Sequence, residues 1–299
     1  MTIRLSLQKS GRLSRLSYDL LTKCGVSASD GPEGDGRLIG SAIDFPLEFL
    51  RVRDDDIPEY VHDGVSTLGI VGENVLWERG FGREGGPEVK VLRKLGFARC
   101  RLAIALPKEE LQGQAKAVWR LEALNGKRIA TTYPEVLRDF AKRKELDIEI
   151  VYIRGAVEIA PGLGVADAVC DLVSTGSTLK ANGLAEAYTV FESEAVLIQT
   201  EKPVASTDEE LVNRLLQRID GVQRANRSRY IMMNAPSEAV EEIRAILPGL
   251  QGPTIIPIDP SNVAIHAVAS EDVFWETIER LKSVGANSIL VSPIEKLIA

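Results

Sequence analysis

Histidine is nearly missing from this chain: His62 and His266 are the only two in 299 residues. Neither has a serine, cysteine or acidic spacing that suggests a triad, which excludes hydrolase chemistry of that kind. Cysteine is scarce as well. Cys24, Cys100 and Cys170 lack metal-type spacing and occupy apolar positions, so they read as buried free thiols of a reducing compartment. No apolar run approaches the roughly 20 residues that span a bilayer, and the first residues lack the apolar stretch of a secretion signal. The expectation is a soluble cytoplasmic protein with no membrane partner. There is no excess of cations: the net charge is −7, which argues against general nucleic-acid binding but permits a local cationic pocket. No Gly-x-x-x-x-Gly-Lys-Ser/Thr occurs, which excludes a P-loop ATPase. Aromatics make up 5% of the chain, and Trp77, Trp119 and Trp275 are expected to be packing residues.

What is present is apolar content, 44%, enough for two or three cores. One stretch organises the rest. Residues 164–179 read as a helix end, a buried strand at Cys170–Val173, and a tight loop, Ser174-Thr-Gly-Ser-Thr178. Gly176 supplies positive φ, and Thr175, Ser177 and Thr178 bring hydroxyls, with Ser174 at the entrance. A helix opening at Leu179–Asn182 would add its positive end, making a nest for a phosphate monoester, with Asp171 placed for a ribose hydroxyl. A plain polar turn is the alternative.

The chain otherwise alternates strand and helix, which indicates parallel sheets. Ile3–Gln8 is a strand, Lys9-Ser10-Gly11-Arg12 a cationic turn, and Leu13, Leu16, Leu20, Leu21 and Cys24 one helix face closed by Gly25. Residues 27–37, rich in Ser, Gly and Asp, read as a mobile loop. Phe49–Arg53 ends in Arg51 and Arg53; Asp56 is placed to cap a helix with Pro58 in its first turn. Asp54 and Asp55 either bind magnesium or position the arginines, and spacing does not identify metal ligands. Asp63–Gly72 can be laid on Asp167–Gly176 without a gap, which suggests two similar lobes across a cleft. Lys108–Arg120 reads as a charged surface segment, Tyr188–Gln199 as extended chain, and Thr207–Ile219 as a helix, with a polar linker, helical or loop, near Gly221–Arg227. The last segment reads βαββαβ, the ferredoxin-like order.

Asp171-Leu-Val-Ser-Thr-Gly-Ser-Thr178 resembles the phosphoribosyl-diphosphate loop of phosphoribosyltransferases. With Leu179-x-Ala-Asn-Gly-Leu184, Gln8-Lys-Ser-Gly-Arg-Leu13, Arg51-Val-Arg-Asp-Asp-Asp-Ile-Pro58, Leu68–Val75, Leu124–Ala130 and Ser288-Ile-Leu-Val291, the chain is similar to ATP phosphoribosyltransferase in its long form, the first enzyme of histidine biosynthesis. The resemblance implies two α/β lobes flanking a cleft, periplasmic-binding-protein-like, plus the C-terminal domain. Lobe I would be residues 1–96 and 187–222, lobe II 97–186, and the regulatory domain 226–299. It implies attack of adenine N1 of ATP on C1 of phosphoribosyl diphosphate, with Mg²⁺-bound pyrophosphate leaving. Lys9, Arg12, Arg53 and Asp171 would be catalytic. Gln8, Ser10, Gly11, Arg51, Asp54, Glu73, Glu158 and Ser174–Leu179 (Ser174, Thr175, Gly176, Ser177, Thr178, Leu179) would bind substrate. Histidine would bind between neighbouring subunits and inhibit through Asn234, Leu250, Gly252, Thr254, Val268 and Ser288, in a homo-hexamer built from dimers. Two other readings stay open: a cytosolic small-molecule sensor with a two-lobed cleft, and a phosphoribosyltransferase with another acceptor.

Overall fold

The computed structural model describes residues 2–31, 36–111, 120–247, 249, 252–270 and 275–298. Leu250, Trp119 and most of the charged segment after Lys108 lie outside the described residues. The described chain divides into two compact units, residues 1–19 with 26–209 and residues 20–25 with 210–299.

The first unit holds two sheets. In chain order, lobe I supplies β1 (Ile3–Gln8), α1 (Arg12–Lys23), β2 (Ile39–Ser41), β3 (Leu47–Val52), α2 (Ile57–His62), β4 (Leu68–Gly72), α3 (Glu73–Glu78) and β5 (Val89–Lys94). Lobe II supplies β6 (Cys100–Pro107), α4 (Lys108–Leu111), β7 (Arg128–Thr131), α5 (Pro134–Arg143), β8 (Glu149–Tyr152), β9 (Ala168–Val173), α6 (Ser177–Ala181) and β10 (Leu184–Ser193). The chain then returns to lobe I as β11 (Ala195–Thr200). The sheet orders are β2-β3-β1-β4-β11-β5 and β10-β6-β9-β7-β8.

Neither sheet is purely parallel, as the alternation had suggested. Each has a parallel trio, β3-β1-β4 or β9-β7-β8, flanked by antiparallel strands. The expected extended run 188–199 is two strands separated at Glu194, and residues 187–193, assigned to lobe I from the sequence, belong to the lobe II sheet. The lobe I core joins Ile57, Val61, Val71, Leu76, Val196 and Ile198. The lobe II sheet is packed on both faces, with Leu102, Ile104, Leu137 and Phe140 in one cluster and Ala103, Val157 and Val169 in another. Each fully buried side chain of Val, Leu or Phe size contributes about 1.5–3 kcal/mol.

The suspected repeat exists, in a different register. Gly64 (φ 73°) and Gly164 (φ 70°) occupy the same turn, 100 residues apart (164 − 64). The amides of Gly64 and Gly164 bond Val61 O and Pro161 O, those of Asp63 and Leu163 bond Glu59 O and Ile159 O, and β4 and β9 begin at Leu68 and Ala168. The gapless overlay was therefore four residues off, misled by two unrelated glycines. Gly72 has φ −74° and is small because a Cβ would lie 2.4 Å from Asn74 Oδ1, whereas Gly176 is left-handed at φ 77°.

Asp56 also departs from expectation. It stands at the N-cap of α2 in αR conformation with no side-chain cap bond, because Asp54–Asp56 already form a 3₁₀ turn leading into the helix. The loop after Val26 is tied down where it is described: Ser29 N bonds Ser41 O, Ile43 N bonds Ser27 O, and Asp30 meets Arg51. Cys24 and Cys170 are buried free thiols, as expected, and burial pushes Cys24 up to about 12; Cys100 is only partly buried. Trp77 packs edge-on against Phe81 and Phe191, but Trp275 is 69% exposed and is not a core residue.

The second unit contains most of α7 (Ser206–Asn226), then β12 (Ser228–Pro236), α8 (Val240–Ile246), β13 (Thr254–Pro257), β14 (Asn262–Ser270), α9 (Trp275–Ser283) and β15 (Asn287–Pro293). This is the βαββαβ order, and the antiparallel sheet runs β13-β14-β12-β15. Ile231, Met233 and Ile265 face Ile243 and Leu281 in its core. The segment Gly221–Arg227 is the helical alternative: α7 continues to Asn226, Gly221 O accepts Leu297 N, and the boundary between the units falls earlier, after Glu209.

Arg51 is fully buried and all of its donors are engaged. Nε donates to Tyr18 Oη (2.8 Å), Nη1 to Asp30 Oδ2 and Arg37 O, and Nη2 to Asp30 Oδ1 (2.7 Å) and Gly31 O. This corrects its assignment as a substrate ligand: it anchors the loop instead. Removing one partner of a buried pair leaves an uncompensated charge, so Asp30→Ala should cost about 3–5 kcal/mol in urea unfolding. A loss of only about 0–1 kcal/mol, typical of an exposed pair, contradicts this role.

Candidate active site

Open α/β sheets bind ligands beyond the carboxyl ends of their parallel strands. In lobe I those ends carry Gln8 and the exposed turn Lys9–Arg12 after β1, Arg53 and Asp54 after β3, and Glu73 after β4. Gln8 and Val52 are register partners, and Lys9 N bonds Val52 O at 2.8 Å, which sets Lys9 and Arg53 side by side. In lobe II the ends carry Tyr133 after β7, Arg154 after β8, and Asp171 with Ser174–Thr178 at β9.

The loop has the expected left-handed glycine, but the helix begins at Ser177, two residues earlier than predicted, with Gly176 as N-cap. Thr175 and Ser177 hydroxyls lie 3.1 Å apart, and Ser174, Thr175, Ser177 and Thr178 are exposed. The amides of Thr175, Gly176, Ser177 and Thr178 find no protein acceptor among the described residues, whereas Lys180 N already bonds Gly176 O. The side chain of Leu179 turns into the lobe II core, so only its backbone faces the loop.

Tyr133 lies within electrostatic reach of carboxylates from both lobes. Its buried phenol is driven upward by desolvation and then, with opposing help from Asn74, by the charges of Asp54, Asp171 and Asp55. Asn74 Nδ2 donates to Tyr133 Oη at 3.1 Å. Burial raises Asp54, reinforced by Asp55; burial likewise raises Asp171, whose Oδ1 accepts Leu172 N, with Glu158 adding to the shift. Glu73 is paired with Lys94 at 3.0 Å and lines, with Ser174, Cys100 and Arg101, a hinge-side cavity of ≈ 420 Å³. Arg12 lies close enough to Cys100 to oppose the burial that raises its thiol.

Sequence reasoning missed Tyr133, Asn74, Glu78 and Arg154. Tyr133 had a readable signal, because it sits between a strand end and a proline-started helix. Glu78 had none: its carboxylate accepts the amides of Glu135 and Val136 (3.0 Å) from the other lobe. His62 Nδ1 accepts Glu88 N, and His266 sits on the second unit's sheet against Tyr230, so neither histidine enters this site.

In that second unit Gly252, Thr254 and Val268 line a cavity of ≈ 630 Å³ with Tyr230 and His266. Asn234, opposite Asn287, and Ser288 (φ 51°) lie elsewhere on the sheet and do not line it. Within one chain the described effector candidates are thus divided between this cavity and another part of the same sheet.

The raised carboxyl of Asp171 has a definite sign. Between the ordinary aspartate value and its higher folded value, the folded chain holds more protons than the unfolded chain, so stability falls as pH rises through that window. Asp171→Asn should flatten this fall in urea titrations from acid to neutral pH; an unchanged slope contradicts the assignment.

Comparison with known proteins places this geometry. The family described as HisG, ATP phosphoribosyltransferase, matches residues 53–221, and HisG, C-terminal domain, matches residues 225–296. An ATP phosphoribosyl transferase (HisG:HisZ) complex from Thermotoga maritima aligns with TM-score 0.57 and 24% identity, over 73% of this chain and 99% of that one, and shares the fold. An ABC transporter periplasmic binding protein from Brucella ovis with glutathione bound aligns with TM-score 0.47 and 10% identity, over 81% and 73% of the two chains, too loosely to bear on function. No helix among the described residues is long and apolar enough to cross a membrane. With the first family match spanning more than half of its residues, the chain belongs to the ATP phosphoribosyltransferase family, the phosphoribosyltransferases of histidine biosynthesis.

Proposed function

We propose that this enzyme joins ATP and phosphoribosyl diphosphate into N1-(5-phosphoribosyl)-ATP and pyrophosphate, under feedback by histidine through its C-terminal domain. The observation that carries the reading is the loop Ser174–Thr178: four free amides and four exposed side-chain hydroxyls around left-handed Gly176, beside Asp171. That is a donor set for the three oxygens of a 5′-phosphate. Asp171 accepts from a ribose hydroxyl, and Glu158 and Glu73 are the further carboxylates for sugar or metal contacts. Lys9, Arg12 and Arg53, with the Gln8–Gly11 turn, meet the polyphosphates from lobe I. The reaction asks little covalent help of the protein. Positioning adenine N1 behind C1, and stabilising an oxocarbenium-like ribose and a departing diphosphate, supply the rate.

Magnesium fits this donor set only in company with substrate. Among the described residues no three His, Cys, Asp or Glu side chains form a metal site. Asp54, Asp55 and Asp171 offer separate carboxylates of the kind that Mg²⁺ combines with phosphate oxygens and water. These carboxylates would hold the ion and its waters, and the ion would supply positive charge to the leaving diphosphate. The expected setting is the cytoplasm, and the expected assembly is a homo-hexamer built from dimers, to be checked by light scattering.

Mixing the enzyme with phosphoribosyl diphosphate and Mg²⁺, then ATP, nicotinate or orotate, tests the reading. Pyrophosphate release with ATP alone is expected. Release only with another acceptor points to a different phosphoribosyltransferase, and binding without release points to a sensor. Thr175→Ala or Thr178→Ala should weaken phosphoribosyl diphosphate binding by about 1–3 kcal/mol, through loss of a charge-assisted hydrogen bond. Gly176→Val should do more harm, because φ 77° is strained for a β-branched residue. Unchanged KM and kcat in all three variants remove the loop from the site. For regulation, Val268→Arg fills the ≈ 630 Å³ cavity and should abolish inhibition by histidine while leaving uninhibited turnover intact. Undiminished inhibition places the effector elsewhere.

A further inference from the structure

Arg154 is a cation that no sequence pattern singled out, and it differs from the two carboxylate-paired arginines on the strands of lobe II. Arg101 forms a two-pronged pair with Glu186, and Arg128 does the same with Asp167. Arg154 is exposed, its Nε donates to Tyr152 Oη at 3.1 Å, and its two terminal nitrogens have no protein partner among the described residues. A guanidinium held at Nε by a neutral phenol keeps its outer N–H edge oriented and free. That edge matches two oxygens of a phosphate.

Its place in the fold points the same way. Arg154 lies two residues past the carboxyl end of β8, next to β7 and two strands from β9. At about 4.8 Å per strand, it starts roughly 10 Å from the Ser174–Thr178 loop. The group it meets is therefore a second anion rather than the one in that loop. In the 100-residue repeat its counterpart is Asp54, also two residues past a strand end. The two lobes thus present opposite charges at equivalent positions. Asp55 of lobe I is near enough that, after the Tyr152 bond, its charge adds to the proton affinity of Arg154.

We propose that Arg154 is a substrate-binding residue that holds a polyphosphate at the sheet-edge end of the cleft. This rests on the reading of the cleft given above. Two groups share the required chemistry, the diphosphate of phosphoribosyl diphosphate and the triphosphate of ATP.

The test uses the full chain with Arg154→Met, which keeps the aliphatic stem, and Arg154→Lys, which keeps the charge but not the fork. Arg154→Met should raise KM for one substrate by about ten- to a hundredfold, with melting temperature and kcat near those of the parent. Arg154→Lys should recover part of that loss. A rise confined to phosphoribosyl diphosphate assigns the diphosphate; one confined to ATP assigns the triphosphate. Calorimetric titration with inorganic pyrophosphate should show the same order of affinities, parent above Lys above Met. Unchanged KM for both substrates with unchanged pyrophosphate affinity overturns the inference. Thr178→Ala, assayed in parallel, separates the two levels. If it impairs binding while Arg154→Met does not, only the Arg154 inference falls. If the parent enzyme releases no pyrophosphate at all, the functional reading falls, and the pyrophosphate titration still decides Arg154.

Discussion

The cleft depends on the carboxylate of Glu78. It ends α3, a helix that rises directly from a lobe I strand, and it accepts the first amides of α5, a helix of lobe II. A helix N-terminus presents unsatisfied donors and a positive end, so an anion from outside the helix is a strong partner for it. The bond is made at half burial, and desolvation lifts the Glu78 carboxyl even though two amides oppose the shift. Asn74, one turn earlier, holds Tyr133, and Trp77 packs against the cluster of lobe II. One face of one short helix therefore sets how the strand ends of the two sheets confront each other. Arg83 extends the same seam by pairing with Glu135 and Asp139.

That confrontation is electrostatically unusual for a cleft proposed to handle phosphates. Asp54, Asp55 and Asp171 are within electrostatic reach of Tyr133, Glu158 is within reach of Asp171, and burial raises Asp54 and Asp171. Cations also follow the strand ends: Lys9, Arg12 and Arg53 on lobe I and Arg154 on lobe II. An acidic centre suits ribose hydroxyls and a developing positive charge on the sugar, while the cationic ends suit phosphates. The overall charge of −7 is thus no guide to the local field. Arg51 supplies the contrast. It is the most deeply buried cation and stands two residues before Arg53, yet it is the last inward-facing residue of β3 and serves the fold, whereas Arg53 lies past the strand end.

The repeat explains how one architecture yields two different lobes. Positions 57, 64 and 68 and their partners 157, 164 and 168 keep the turn and the buried contacts. The strand ends diverge: β4 passes straight into α3, while β9 inserts the loop at Ser174–Gly176 before α6. The added loop carries the proposed phosphate site; the direct passage places Asn74 and Glu78 for the seam.

Much of this was written in local pattern. Strand–helix alternation, the ferredoxin-like order of the last segment, the left-handed Gly176 and the turn after β1 all follow from short-range rules of burial and backbone freedom. The sequence by itself determined the donor set of the proposed phosphate site, because hydroxyls, glycine and an acid at that spacing act as one local unit. Only the tertiary structure decided which of the neighbouring cations is free. Alternation along β3 sends Arg51 inward to Asp30, a partner 21 residues away, and the strand ends at Val52, so Arg53 escapes that inward face. Only the tertiary structure, too, brought Glu78 to α5, because that contact depends on how two separately folded sheets meet, and no local pattern records that.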